Sequence, residues 1–331
     1  MLKPPRVSVV MPVYNVEAYV AQAVQSVLNQ SFKDFELLII DDGGMDHSIA
    51  ICEAFADPRI VIIHQSNRGL AGARNTGIAH ARGEYVAFLD ADDRWDPEKL
   101  ILHVIHLTAN PKIGVSYSSS RFIDQYGDPL RQQQLPKLLD ISSADILHRN
   151  PIGNGSAAII RKSVLDLAAY PHPKDSKRRC YFDEAFRQSE DIELWIRLAL
   201  TVDCQFEGIA PSLTEYRIVA DGLSANIVRQ FDSWQRMIDK TERYAGTFIA
   251  KYGPSARAFQ LRYLARRAVQ MGDGSFATSL LRQSVAASRI VLWYEPQKTI
   301  TTFLAAWTIR LFGASLASRV ARKWTGAKVM A

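Results

Sequence analysis

The sequence predicts an α/β protein: a mostly parallel central sheet flanked by helices, followed by an α-helical C-terminal extension. Three observations carry that expectation. Short apolar runs alternate with helix-period segments through the first hundred residues. The ends of the expected strands hold unusual polar residues, which is where ligands sit in such sheets. From about Val228 onward the pattern is helical throughout and strongly basic.

VSVVMPVY, Val7 to Tyr14, is an all-apolar run suited to a strand covered on both faces. Val20, Val24, Val27 and Leu28 then recur at helical spacing. FELLIIDDG reads as a second strand, Ser48 to Phe55 as a helix, and RIVIIHQ as a third strand. Leu70 to His80 is an alanine-rich helix, and EYVAFLD a fourth strand. The expected strand ends are Tyr14 with Asn15, Asp41 with Asp42, Asn67 to Arg74, and Asp90 to Asp93.

The middle is less regular. Pro97 to Leu107 reads as a helix, IGVSYSSSRFID as a strand, and NGSAAIIRKSVL as a strand turning into a helix. YPHPKDSKRRCYFDE is basic and punctuated by proline, which predicts a mobile surface loop. In SEDIELWIRLAL, Ile192, Trp195, Ile196 and Ala199 form a helical stripe. Glu190 and Asp191 open it, where the helix dipole favours anions.

The C-terminal region reads as SWQRMIDKTERYAGTFIAKYG, then ARAFQLRYLARRAVQMGD, then SFATSLLRQSVAASR, with a GDGS turn before the third helix. It carries about 17 Lys and Arg against about 5 acids. Ile300, Phe303, Leu304, Trp307 and Leu311 share one face of a last helix. Such a face either docks on the protein or lies on a membrane, and base rates favour docking.

With 331 residues, 47% hydrophobic and 22% charged, the chain has the composition of a globular protein with a large core. Its net charge of +6 suits anionic ligands or membranes and is no nucleic-acid signature. Cys52, Cys180 and Cys204 lack metal spacing and read as reduced, mostly buried thiols. The N-terminal MLKPPRVSVVMPVYN lacks the pattern of a signal peptide, and no apolar run is long enough to span a bilayer. A cytoplasmic location is expected.

In GEYVAFLDADDRW an apolar strand runs into three carboxylates, Asp90, Asp92 and Asp93. Like charges at a strand end most economically hold Mg²⁺ or Mn²⁺, which want hard oxygen ligands and keep phosphates in their shell. The plainer alternative pairs Asp90 with a nearby Arg and makes Asp93 a helix cap. No G-x-G-x-x-G follows the first strand and no P-loop occurs, so neither dinucleotide fingerprint is supported.

VSVVMPVYN, FELLIIDDG, NRGLAGARNTGIAHARGEYVAFLDADD and SEDIELWIRL, in that order over roughly residues 6 to 220, resemble the family 2 glycosyltransferases of GT-A fold. The resemblance implies that Pro12, Tyr14 and Glu17 line a nucleotide pocket, with Asp42 on the base and Arg74 near base or diphosphate. It places Asp90 on the ribose and Asp92 on the metal, makes Asp191 the general base, and leaves Glu190 and Trp195 as acceptor-side support. The usual serine after the paired acids is replaced by Gly44, which is expected to loosen that turn.

The function so implied is inverting transfer from a nucleotide-diphosphate sugar, a UDP-sugar by preference, to a hydroxyl of a glycan or lipid-linked acceptor in cell-surface polysaccharide synthesis. Residues 1–225 would be the catalytic domain, and 226–331 a helical hairpin with a basic amphipathic tail in peripheral contact with a membrane. The rival reading is a nucleotide-sugar-binding protein without turnover, whose helical tail docks a partner.

Overall fold

The computed structural model describes residues 3–219 and 227–313. The boundary expected at 225–226 and the basic residues after 313 lie outside them. The chain packs as two compact units, Met1–Ile146 with Asn150–Gly222, and Leu147–Arg149 with Leu223–Ala331.

The first unit begins with β1 (Val7–Val13), α1 (Val20–Leu28), β2 (Phe35–Asp41), α2 (Ser48–Glu53), β3 (Ile60–His64), α3 (Gly69–His80) and β4 (Tyr85–Phe88). It continues through β5 (Arg94–Trp95), α4 (Lys99–Ala109), β6 (Ile113–Ile123), β7 (Pro129–Gln134) and α5 (Ser143–Arg149). Then come β8 (Ala158–Arg161), α6 (Lys162–Ala168), β9 (Tyr170–His172), β10 (Asp175–Cys180), α7 (Glu190–Thr201) and β11 (Gln205–Arg217).

The main sheet runs β3-β2-β1-β4-β8-β6-β11-β5, with β7 against β6. β3, β2, β1 and β4 are parallel, as are β6 and β11, while β8 is antiparallel to both its neighbours. The carboxyl ends of β1, β2, β4 and β11 therefore share one edge, and β8 starts from it. Val20, Ala23, Val24 and Val27 of α1 are buried in one core cluster with Val7, Val9, Met11 and Val13 of β1 and Leu37 and Ile39 of β2. Each larger side chain there contributes about 1.5–3 kcal/mol.

Pro12 sits mid-strand without a ladder defect. Arg6 and Val10 present their carbonyls to Tyr85 and Leu89, so even positions of β1 face β4. β4 pairs only as far as Val10, so the missing N–H of Pro12 falls where that neighbour has ended.

Two expectations change here. The stretch expected as a mobile loop contains the antiparallel hairpin β9–β10. Asn75 of α3 clamps the segment after it, accepting from Tyr181 N at 3.0 Å and Phe182 N at 2.7 Å and donating to Phe182 O at 2.9 Å. β11, unread in the sequence, is a 13-residue strand. Pro211 disguised it, and the strand accommodates that proline where its register on β6 shifts between Ile209 and Ser212.

The second unit contains α8 (Ile227–Gln270), α9 (Gly274–Ala287), α10 (Ile290–Tyr294) and α11 (Pro296–Phe312). The expected break at Gly253–Pro254 is absent; the helix is interrupted at Ala245 instead, with φ −139° and ψ 47°. Ile249, Gly253, Ala256 and Phe259 are buried at helical spacing, and that packing carries the helix through Pro254. The α8–α9 turn closes with Asp273 N donating to Ala268 O, Gly272 N to Val269 O, and Gly272 at φ +79°. Asp273 then caps α9, accepting from Phe276 N at 2.8 Å.

The last helix also corrects an expectation. α11 docks through Thr299, Thr302 and Ala306, while Ile300, Phe303, Leu304, Trp307 and Leu311 are exposed.

Candidate active site

Arg74 organises the site. Its position in the first half of α3 carries it under the sheet edge, fully buried. Nη2 donates to Asp90 Oδ1 at 2.6 Å, just beyond β4, and Nη1 donates to Glu190 Oε1 at 2.8 Å, at the start of α7. Phe182 lies against the guanidinium, its ring centre 5.2 Å away. Burial alone would lower the Arg74 pKa, but Asp90 and Glu190 together raise it. Gly155 makes room: a Cβ there would collide with Arg74 Nη2 and stand 3.2 Å from Asp90 Oδ2. Arg74 is thus committed to two protein carboxylates, which leaves only Nε without a protein partner.

Asp93 is equally committed. Ser156 Oγ donates to its Oδ2 at 2.6 Å and Arg217 N donates to its Oδ1 at 2.9 Å. Asp90 N donates to the same Ser156 Oγ at 3.0 Å, so the short turn Gly155–Ala157 before β8 and the end of β11 fix the acidic turn from two sides. Asp90 pairs with an arginine as the plainer reading had it, whereas Asp93 holds strands together and caps no helix. Burial, then the charges of Asp92 and Asp90, push the Asp93 carboxyl well above its usual range. Burial, then the charge of Asp90, also pushes the Asp92 carboxyl up to about 6, and Arg217 offsets this only in part. Arg217 Nε bonds the Asp92 backbone carbonyl at 2.7 Å.

Asp191 lies in the first turn of α7, two residues after Ser189, whose φ of +62° turns the chain into the helix. Its side chain keeps part of its surface open, while Glu190 is buried. Burial raises the Asp191 carboxyl to about 7; the charge of Glu190 adds to this and Arg74 opposes it. Trp195, one turn on, is fully buried and anchors the helix.

The β1 and β2 ends form a second cluster. Asp42 is buried, with Oδ1 accepting from Gln65 Nε2 at 2.6 Å and Arg68 N at 2.8 Å, and Oδ2 from Gly69 N at 2.9 Å. It therefore ties β2 to the entry of α3. Tyr14 is exposed and Pro12 buried within β1. Glu17 accepts from His47 N at 2.9 Å, which with the His47 ring lowers its pKa. The turn at Gly44 is not loosened. Met45 N donates to Asn15 Oδ1 at 2.9 Å, and a Cβ at 44 would lie 3.1 Å from Asn15 N. Glycine there lets the two strand ends approach closely.

Five carboxylates (Asp90, Asp92, Asp93, Glu190 and Asp191) thus face two guanidinium groups, Arg74 and Arg217. The unbalanced charge, felt by Asp92, Asp93 and Asp191, fits a divalent cation with hard oxygen ligands; Asp92 is the candidate ligand, since both Asp93 oxygens already accept from Ser156 and Arg217. Sequence reasoning missed Ser156, Arg217, Asn75 and Tyr216, whose hydroxyl is pushed up by burial and by Asp93. The only available signal for Tyr216 and Arg217 was that TEYR closes a further apolar run. A separate group, His172, Cys180 and Glu184, comes together beside β10, where Asn75 Nδ2 donates to Glu184 at 3.1 Å and Arg178 pairs with it.

The profile of glycosyl transferase family 2 matches residues 8–167. An uncharacterized glycosyltransferase of Haemophilus influenzae is 32% identical over 182 residues, covering 54% of this chain and 71% of its own. The chain belongs to glycosyl transferase family 2. It spans about a third or less of several longer curated relatives. Among solved structures, Staphylococcus aureus TarS 1-349 in complex with UDP has a TM-score of 0.53 at 16% identity, covering 92% of this chain and 91% of its own. The Pyrobaculum calidifontis mannosyltransferase PcManGT, in complex with GDP-Man and Mn²⁺, has a TM-score of 0.57 at 17% identity, covering 98% and 89%. The fold is the GT-A type expected from the sequence.

Proposed function

We propose that the chain transfers a sugar, with inversion, from a nucleotide-diphosphate sugar to a hydroxyl of a glycan or lipid-linked acceptor. A UDP-sugar donor and a role in cell-surface polysaccharide synthesis are the favoured particulars, and the likeness to TarS in complex with UDP supports the first. Residues 1–225 would carry the transfer, and 226–331 would hold the enzyme at the cytoplasmic face of a membrane.

The observation that carries this reading is the state of Asp191. A sugar hydroxyl is a poor nucleophile, and a carboxylate raised to about 7 is matched to taking its proton near neutral pH. Glu190, held by Arg74, would orient the start of α7, and Trp195 would anchor it. Asp92 would hold Mg²⁺ or Mn²⁺, which when bound neutralises charge building on the departing diphosphate. Arg74 would act on the donor through Asp90, presenting Asp90 Oδ2 to the ribose. Pro12, Tyr14, Glu17 and Asp42 would shape the base pocket, Asp42 by fixing the loop before α3. PcManGT, bound to GDP-Man and Mn²⁺, supports metal use.

The test is a panel of nucleotide sugars assayed for hydrolysis and transfer with and without Mn²⁺. Asp191→Asn should keep donor binding and lose turnover. Turnover near that of the unmodified chain would refute the assignment, and donor binding with no turnover by the unmodified chain would favour a non-catalytic binding protein.

A further inference from the structure

α11 is inverted relative to an ordinary amphipathic surface helix. Its inward face is small or polar: Thr299, Thr302 and Ala306 are buried, and Thr299 Oγ1 donates to Val291 O at 2.7 Å. Gly274 of α9 packs so close that a Cβ there would strike the backbone of Ala306 and Arg310. Arg310 Nη1 reaches Thr278 Oγ1 at 3.0 Å, which pins the far end.

The outward face is apolar. Ile300, Leu304 and Leu311 are 55%, 60% and 65% exposed, with Phe303 and Trp307 between them. On the preceding α10, Trp293 and Tyr294 are 84% and 75% exposed. A run of large apolar side chains turned to water on successive turns marks a surface with a partner.

Charge identifies the partner. From residue 274 to the end of the sequence there are eight Lys and Arg and a single acid, Glu295. That acid is turned inward: Arg262 Nη2 lies 3.0 Å away, Lys298 Nζ 2.7 Å, and Arg149 closer still. Arg289 and Arg310 are exposed next to these two helices' apolar residues, Lys298 is exposed nearby, and four more basic residues follow in the sequence after 313. A second copy of this face would set positive charge against positive charge. No described helix is long and apolar enough to cross a membrane.

We propose that the outward face of α10 and α11 lies in the plane of a bilayer rich in anionic phospholipid. Trp293, Phe303 and Trp307 enter the acyl boundary and the flanking basic side chains meet the headgroups. The inference deepens the membrane placement proposed above and rests on that part of the reading, not on the donor site.

The test uses the full chain with vesicles of phosphatidylcholine alone and of phosphatidylcholine mixed with phosphatidylglycerol, read by co-sedimentation at low and raised salt. The expected result is binding to the anionic vesicles, weakened by salt and reduced roughly tenfold or more by Phe303→Ser with Trp307→Ser. Both side chains are substantially exposed, so the double variant should keep its melting temperature. Equal binding to neutral vesicles, no binding, or binding untouched by the double variant would each overturn the proposal. So would a lipid-free dimer that the variant splits. Donor hydrolysis needs no vesicle, so failure here and failure of the transfer reading are distinguishable.

Discussion

Arg74 and Glu190 are 116 positions apart in sequence and meet in a buried ion pair of 2.8 Å. The same guanidinium holds Asp90, so α3 joins the acidic turn after β4 to the first turn of α7. The two acidic motifs are thereby one electrostatic unit, and a change at either is felt at the other.

Arg74→Met should cost about 3–5 kcal/mol in urea unfolding, because it leaves buried Glu190 and half-buried Asp90 without their cation. Arg74→Lys should recover only part of this, since an ammonium lacks the planar fork that reaches both acids. An unfolding midpoint unchanged in Arg74→Met would mean that the bridge contributes nothing.

Gly155→Ala tests the space around that bridge. The added methyl collides with Arg74 and crowds Asp90, so a loss of about 1–3 kcal/mol is expected, together with weaker donor binding. Gly246 has no heavy atom within 4 Å of its would-be Cβ, and Gly246→Ala should be neutral or stabilising by up to about 1 kcal/mol. Equal effects at the two positions would contradict the packing described here.

Neighbouring acids Asp92 and Asp93 should respond oppositely. Asp93→Ala removes the acceptor for Ser156 and Arg217 and should lower the melting temperature. Asp92→Asn removes a like charge beside Asp90 and should raise stability by about 1 kcal/mol while abolishing Mn²⁺-dependent donor binding. Thermal shift with and without Mn²⁺ and UDP reads both effects.

The pH profile follows from Asp191. If it is the base, kcat/KM rises with pH to a plateau above about 7, and Glu190→Gln moves the midpoint down by removing a repelling charge. The linkage has the opposite sign. A carboxyl raised in the folded state binds its proton more tightly there than in the unfolded chain, so its contribution to stability falls as pH climbs from about 4 to about 7. A flat rate profile between pH 5 and 8 would remove Asp191 from the chemistry.

The alternation that built β1 to β4 was legible because each strand and helix there has its own period, and the strand-end acids stood out against apolar runs. β11 was not, because Pro211 interrupts its pattern at a register shift that only pairing with β6 reveals. Nor was the hairpin β9–β10 legible, since its charged and proline-punctuated residues read as a loop, while the segment after it is held by Asn75, a hundred residues earlier. Gly44 misled for a related reason: its role depends on the approach of Asn15.

By itself the sequence determined which residues form the strands and helices from β1 to β4, and which acids lie at the strand ends. Those are local matters, set by hydrophobic period and by the chemistry of adjacent residues. Tertiary structure decided which acids have their oxygens taken by protein donors, as Asp93 and Asp42 do, and which carboxyls burial and like charge push upward, as at Asp92, Asp93 and Asp191. It also decided that α11 turns its apolar side outward. Burial and pairing depend on neighbours brought together across long stretches of chain, and no local pattern encodes them.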